Sequence, residues 1–538
     1  MVSAALLLDR WRARMPPLLR EQLQLVAGAR NGPLLTSHFE ELDDAQTDLR
    51  PLHIYNLPDE LLLGIFRHLH SRDDIQRLRL SSKRLNKTSS HLLINTLHVS
   101  PNPKSLERLD QVSRHATISR GVRRLIVSVD VYSPELARDV QGFTAHCMRE
   151  LNGFLNLPST HTTRREAHEM CLSWHYFLES FQNSYTDTSH LNGDHISALH
   201  NGWLRYQELY DQQQMVLRNW RFSDGIASAV SRMPFLNDLV IRDRSRSTVD
   251  EDLWSSSLYQ KMGALVHHPT RLVEEMMLHT FSWRKATQNS VETPPTYLLY
   301  LILLSIYNTG SSLAHLRFDL TPPQYLGLDL DRSEWIQLRS FARSLKSFKL
   351  CIGAEPSGLV HKTRSRKEIR NLERFLAVLS RSSELDTLIL DFAFRERDCH
   401  SLNRTHDPRR TSIGPLMVYW QNHRNIHLKN CSITLKELRD FVALPRKEPA
   451  VIGLWYVYLL DGTWAEAVEI LRRAVLSGRL SQESYLRWPY GAECLTMATD
   501  KRKRIFHYRS DRRFHKDSLV NCYIKGYDAR LASNPLRE

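Results

Sequence analysis

NLPDELLLGIFRHLHSRDDIQRLRLSSKRLNKTSSHLLINTLHV, Asn56 to Val99, is the stretch whose pattern is most specific in this 538-residue chain. Pro58 suits the first turn of a helix, where a missing N–H costs nothing. Asp59 and Glu60 favour the positive end of that helix. At 100° per residue, Leu61, Ile65, Leu69, Leu62 and Phe66 cover an arc of about 140°, and Leu63 widens it to about 200°. A helix facing only its own small core needs about 100°. The excess apolar surface therefore requires a second cover, either the rest of this chain or another protein. A second helix is expected near Asp74 to Leu80, with Ile75, Leu78 and Leu80. A basic turn, Lys83-Arg84-Leu85, then leads to a third helix around His91 to Leu97, and Pro101 and Pro103 close the unit.

Before this unit, residues 1–50 read as an extension and linker, with SHFEELDDAQTDLRP (Ser37 to Pro51) acidic and polar. Arg10, Arg12, Arg14 and Arg20 near the start fit an amphipathic extension or an Arg-rich presequence. After the unit, GVRRLIVSVDVY (Gly121 to Tyr132) is β-branched and predicts a strand. Phe143 to Trp220 is mostly helical, and Ile196, Leu199, Trp203, Tyr206 and Tyr210 step along one helix face. That face is expected to pack within the chain rather than as a coiled coil. YLLYLILLSIY from Tyr297 is too short for the roughly 20 residues of a membrane span and predicts a buried helix.

Beyond residue 230 an apolar-x-x-apolar-x-apolar phrase recurs at Leu236/Leu239/Ile241, Leu313/Leu316/Phe318, Leu345/Phe348/Leu350 and Leu385/Leu388/Leu390. Two later copies are fuller, Ile426/Leu428/Cys431/Ile433 and Ile452/Leu454/Val457/Leu459, and helical stretches separate them. Strand followed by helix, repeated, is the unit of a leucine-rich solenoid, although the spacing here is irregular. The predicted fold class is therefore α/β (α+β): a small three-helix unit, a helical segment, then an irregular leucine-rich-repeat-like array. An ordinary α/β domain with a parallel sheet is the alternative. Strand side chains alternate, so Arg317, Asp319, Lys349 and His427 are expected to face away from the core, with Trp455 following the inward Leu454.

The formal net charge of +14 favours acidic partners. Seven scattered cysteines (Cys147, Cys171, Cys351, Cys399, Cys431, Cys494 and Cys522) without a CxxC fit free thiols. Enzyme signatures do not emerge. No GxG, GK[ST] or GxSxG occurs, which removes Rossmann, P-loop and nucleophile-elbow motifs. His168, Cys171 and His175 share a helix face, but no fourth ligand is indicated for zinc. No metal or cofactor is expected. The basic run DKRKRIFHYRSDRRFHK (Asp500 to Lys516) reads as a solvated tail, with Lys501, Arg502, Lys503 and Arg504 as a candidate nuclear import signal.

The Asn56–Val99 segment closely resembles the F-box in its Leu57-Pro58 opening, the Glu60-Leu61-Leu62 step, Ile65-Phe66, Leu69 and LRLSSKRL (Leu78 to Leu85). It departs by one extra linker residue after Leu69 and by His70 where Asp is frequent. The remainder is similar, more loosely, to large fungal-type F-box proteins, including the phrase Gly462-Thr463-Trp464 after an apolar strand. The resemblance implies an F-box at 51–100, a strand and helical middle at 101–230, a substrate-binding array at 231–490 and a basic tail at 491–538. It also implies a non-catalytic receptor of a Skp–cullin–F-box ubiquitin ligase. Leu57, Pro58, Leu61, Leu62, Ile65, Phe66 and Leu69 would meet a Skp-type adaptor, which brings a cullin and a RING protein. Arg317, Lys349 and His427 would contact an unknown protein substrate of acidic or phosphorylated character. No membrane partner is expected, nucleic acid ranks below protein, and the location is cytoplasmic, nuclear or both. An F-box scaffold outside ubiquitin ligation is the alternative.

Overall fold

The computed structural model describes residues 57–69, 71–155, 161–181, 192–243, 264–283, 295–321, 327–352, 366–392, 412–491, 494, 497, 501, 505–506, 518–526 and 533–537. The chain divides into two compact units, Met1–Leu62 and Leu63–Glu538. Leu57 to Leu62 are the described part of the first. The N-terminal extension and acidic linker lie outside the described residues.

Helix α1 (Asp59–Phe66) starts at the predicted place, with both acidic residues in its first turn. Helix α2 (Arg72–Ser81) is capped by Ser71, whose hydroxyl accepts from Asp74 N. Helix α3 is Lys83–Ser89, where the sequence suggested only a basic turn. Ser82 explains the difference: its side chain accepts from Leu85 N at 3.1 Å, so a helix begins directly after it. The helix expected at His91 to Leu97 is instead a short 3₁₀ turn, Ser90–Leu92, and strand β1 (Thr96–Val99).

Strand β1 opens a nine-stranded, wholly parallel sheet. Its members are β1, β2 (Arg124–Ser128), β3 (Asp238–Arg242), β4 (His315–Leu320), β5 (Ser347–Ile352), β6 (Thr387–Asp391), β7 (Asn425–Lys429), β9 (Val451–Trp455) and β11 (Tyr485–Arg487). They pair in chain order without reversal. A small parallel pair, β8 (Ser432–Ile433) and β10 (Tyr458–Leu459), lies outside that sheet. Such order is that of stacked strand–helix units, not of a doubly wound sheet, whose strand order reverses. The sheet starts before residue 101 and continues through residue 231, where the sequence suggested segment boundaries.

Every apolar position of the recurring phrase is buried. Register stacks them into rows: Leu239, Leu316, Phe348, Leu388, Ile426 and Ile452 form one. Ile241, Phe318, Leu350, Leu390, Leu428 and Leu454 form the next. Helices α11 (Leu298–Asn308), α12 (Arg332–Ala342), α15 (Leu435–Ala443) and α16 (Trp464–Leu476) contribute to the same core. The last three begin with capping boxes: Asp331 with Glu334, Thr434 with Glu437, and Thr463 with Glu466. Each box satisfies helix-end N–H groups and fixes the helix start. Gly462 has φ +70°, and Trp464 is fully buried, its Nε1 donating to Tyr490 O at 2.7 Å.

A second core lies among α6 (Val140–Leu155), α7 (His161–Ser180) and α8 (Gly193–Leu217). Leu199, Tyr206 and Tyr210 of α8 are buried there, with Ile196 and Trp203 packed against them. That apolar face is thus consumed within the chain. Most of the basic run Asp500 to Lys516 lies outside the described residues, but the chain after it, within the expected 491–538 tail, joins the fold. Helix α17 (Leu519–Lys525) buries Val520 and Ile524, and Asn521 Oδ1 accepts from Leu486 N at 2.8 Å. Among the described residues no helix is long and apolar enough to cross a membrane.

Candidate functional site: the outward face of the sheet

Parallel pairing at equal offsets puts alternate side chains of successive strands in line. Arg317 is registered with Lys349, Lys349 with Ile389, Ile389 with His427, His427 with Gly453, and Gly453 with Tyr485. Arg317, Lys349 and His427, the expected substrate contacts, therefore lie on one row, with Ile389 between Lys349 and His427. Two residues further along the strands runs a second row: Asp319, Cys351, Asp391, Lys429, Trp455 and Arg487. From β4 to β11 these outward side chains are half-buried or exposed, Gly453 apart.

The two halves of this face differ electrostatically. Around β4 to β6 the outward charges are of both signs, Arg317 and Lys349 beside Asp319 and Asp391. Arg317 meets Asp319 at 2.9 Å, and Asp391 accepts from Asn430 Nδ2 at 2.7 Å. At the β7–β11 end, cations and aromatic rings prevail. Lys429 Nζ lies 4.5 Å from the Trp455 ring centre, and the Arg487 guanidinium 5.4 Å from Trp455 and 5.3 Å from Tyr485. Tyr456 stacks on Trp455 and on Tyr490. Burial, then the charges of Lys429 and Lys349, hold the His427 imidazole below its usual pKa. Its Nδ1 stands 3.2 Å from the Tyr485 hydroxyl.

The turns after the last strands present this end. Asn430, Tyr456 and Trp488 follow β7, β9 and β11 with φ of 53°, 56° and 47°. Left-handed backbone is uncommon for bulky residues. Here it is locked by neighbouring turns: Asn430 N donates to Trp455 O and Tyr456 N to Arg487 O, both at 3.0 Å. Lys429, Tyr485 and Arg487 were not singled out from sequence. The signal was present in the phrases IHLKN, GLWYV and YLRWP, which place outward residues at matching offsets.

Other candidates scatter. His168 is exposed, Cys171 is buried with its thiol near Asn152, and His175 pairs with Glu179 at 3.1 Å. Lys501 is exposed, while Arg502, Lys503 and Arg504 lie outside the described residues.

In the N-terminal unit and its continuation, Pro58 is exposed, Leu61 is 39% exposed and Leu80 87%. Leu57, Ile65 and Leu69 are half-buried, whereas Leu62 and Phe66 are buried. Residues 54–100 match the F-box-like family model. The chain carries an F-box-like domain. F-box domains generally bind Skp-type adaptors, and F-box proteins are generally non-catalytic substrate receptors. No curated protein matches the chain significantly. The matched F-box includes β1, so its last residues are also the first strand of the sheet.

Proposed function

We propose that this F-box protein is the substrate-recognition subunit of a Skp–cullin–F-box ubiquitin ligase. The observation that carries the reading is the F-box-like domain in one chain with a parallel sheet whose outward face is lined with cations and aromatic rings. The adaptor meets Leu57, Pro58, Leu61, Ile65 and Leu69 of the F-box, with the exposed Leu80 as a further contact. The adaptor connects to a cullin and a RING protein. The F-box protein itself raises the effective concentration of a substrate at the ubiquitin thioester.

Arg317, Lys349 and His427, joined by Lys429 and Arg487, form the recruiting surface, and the strand array is leucine-rich-repeat-like. The substrate segment is acidic or phosphorylated, since Arg and Lys pair strongly with carboxylate and phosphate. Trp455 and Tyr485 add flat surfaces for an aromatic or aliphatic anchor. Affinity purification of the full chain with the proteasome inhibited tests the proposal. Adaptor and cullin should co-purify with ubiquitinated clients. Recovery of adaptor without cullin would instead make the chain a scaffold outside ubiquitin ligation.

A further inference from the structure

We propose that His146, Glu150 and His279 form a zinc-class metal site that ties helix α6 to the segment following residue 277. One ligand atom from each of the three lies within 4.8 Å of the other two. His146 and Glu150 are four residues apart on α6 and so project from one helix face. His279 comes from far along the chain, just after a π-helical turn, Val273–Met277. Turns of that kind recur at functional sites.

Each half of the cluster is held independently. On the helix, Phe143, Cys147 and Leu151 are fully buried and fix its rotation. Beyond the π turn, Val131 N donates to Phe281 O at 3.0 Å and Phe281 N to Val131 O at 2.7 Å. Thr280 Oγ1 donates to the buried Asp130 carboxylate. His279 therefore sits in an anchored strand-like segment, the preorganisation a metal site needs.

The His279 imidazole is also set up for coordination. His279 Nδ1 lies 3.2 Å from the Met276 carbonyl oxygen. A carbonyl only accepts, so Nδ1 carries the proton and Nε2 the lone pair. Metal-bound histidines use this same device to fix tautomer and ring orientation. The His146 and His279 rings are 5.5 Å apart, and Phe281 lies 5.3 and 5.2 Å from them, an apolar wall that keeps one side dry. Glu150 is exposed, so solvent reaches the other side.

Two imidazoles and one carboxylate suit Zn²⁺, which takes such a set and completes a tetrahedron with water. Mg²⁺ and Ca²⁺ prefer oxygen-rich sets. The ion would clamp the helical core to the chain that continues from β2, and a bound ion stabilises the folded state by mass action.

The test uses the full chain, stripped by chelator and titrated with Zn²⁺ and with Co²⁺. One tightly held zinc per chain after desalting is expected, with visible Co²⁺ d–d bands and a higher melting temperature. Glu150→Gln and His279→Ala should each weaken binding at least tenfold. Glu150 is exposed, so Glu150→Gln keeps the fold, which circular dichroism checks. The control His175→Ala, at an exposed histidine elsewhere, should bind as before. Absence of stoichiometric metal, or binding that survives both Glu150→Gln and His279→Ala, overturns the site.

Discussion

Replacing Gly453 with Ala isolates the contact that shapes the aromatic end of the recognition face. His427, Gly453 and Tyr485 are register partners on three adjacent strands. Neighbouring strands lie about 4.8 Å apart, so Tyr485 must reach across the middle strand to meet His427. Gly453 leaves that path empty. A Cβ there would come 2.6 Å from the Tyr485 hydroxyl and closer still to His427 Nδ1. The obstructing atoms belong to side chains and none to the backbone, so the rings should swing outward while the sheet stays in place. The lost hydrogen bond costs about 0.5–1.5 kcal/mol net. Gly453 does not have positive φ, so Ala also removes unfolded-chain entropy, which stabilises by about 0.4–1 kcal/mol. The two nearly cancel, and unfolding free energy should change by less than about 1 kcal/mol. The site should change more. Burial is the first cause of the low His427 pKa, so releasing Tyr485 should raise it toward the ordinary value. Denaturant melts and an NMR histidine titration, assigned with His427→Gln, read both quantities. A loss of more than about 2 kcal/mol, or an unmoved His427 titration, would refute the reasoning.

Three further outcomes follow from the same structure. His423 is 2% exposed and its Nε2 lies 2.9 Å from Ser380 O. Burial depresses its pKa to about 4, against the Ser380 hydrogen bond and with help from Arg446. Its folded pKa is below the unfolded one, so stability is complete above about pH 6.5 and falls toward pH 4, by ~3 kcal/mol in all. His423→Gln should flatten that slope, and parallel slopes would discount the histidine. Double reversal, Arg317→Glu with Lys349→Glu, should release substrate at least tenfold yet leave adaptor pull-down intact; substrate retained by the double variant removes the recruiting row. Replacing Lys501, Arg502, Lys503 and Arg504 with Ala should shift a tagged protein toward the cytosol, and an unchanged distribution would return that run to a plain basic segment.

The strand array was legible because its information is local. Leu316 and Phe318, or Leu388 and Leu390, mark two inward positions of one strand, and each copy repeats the same offset. Alternation then placed Arg317 and Lys349 outward before any pairing was known. The F-box was legible from the order and spacing of Leu57, Pro58, Leu61, Leu62, Ile65 and Phe66. What escaped depends on distant partners or on caps. His91 to Leu97 read as helix because the strand character of its end, Thr96 and Leu97, comes from pairing with Arg124 and Leu125. Lys83-Arg84-Leu85 read as a turn because its helical character depends on the Ser82 cap. The aromatic end needed β11, which only pairing with β9 reveals. The His146 cluster joins residues more than a hundred positions apart, and no local spacing announces it.

Adaptor binding is the most direct test of the central claim. The full chain and the variants Leu57→Ala with Pro58→Ala, Leu61→Asp and Leu80→Asp would be titrated against a purified Skp-type adaptor, with circular dichroism as the folding check. Pro58, Leu61 and Leu80 are exposed and Leu57 is half-buried, so the changes should cost the fold little. The account predicts tight binding by the wild-type chain and at least tenfold weaker binding by the double variant and by Leu61→Asp. A well-folded wild-type chain that fails to bind the adaptor, or folded variants that bind it as tightly as wild type, would contradict it.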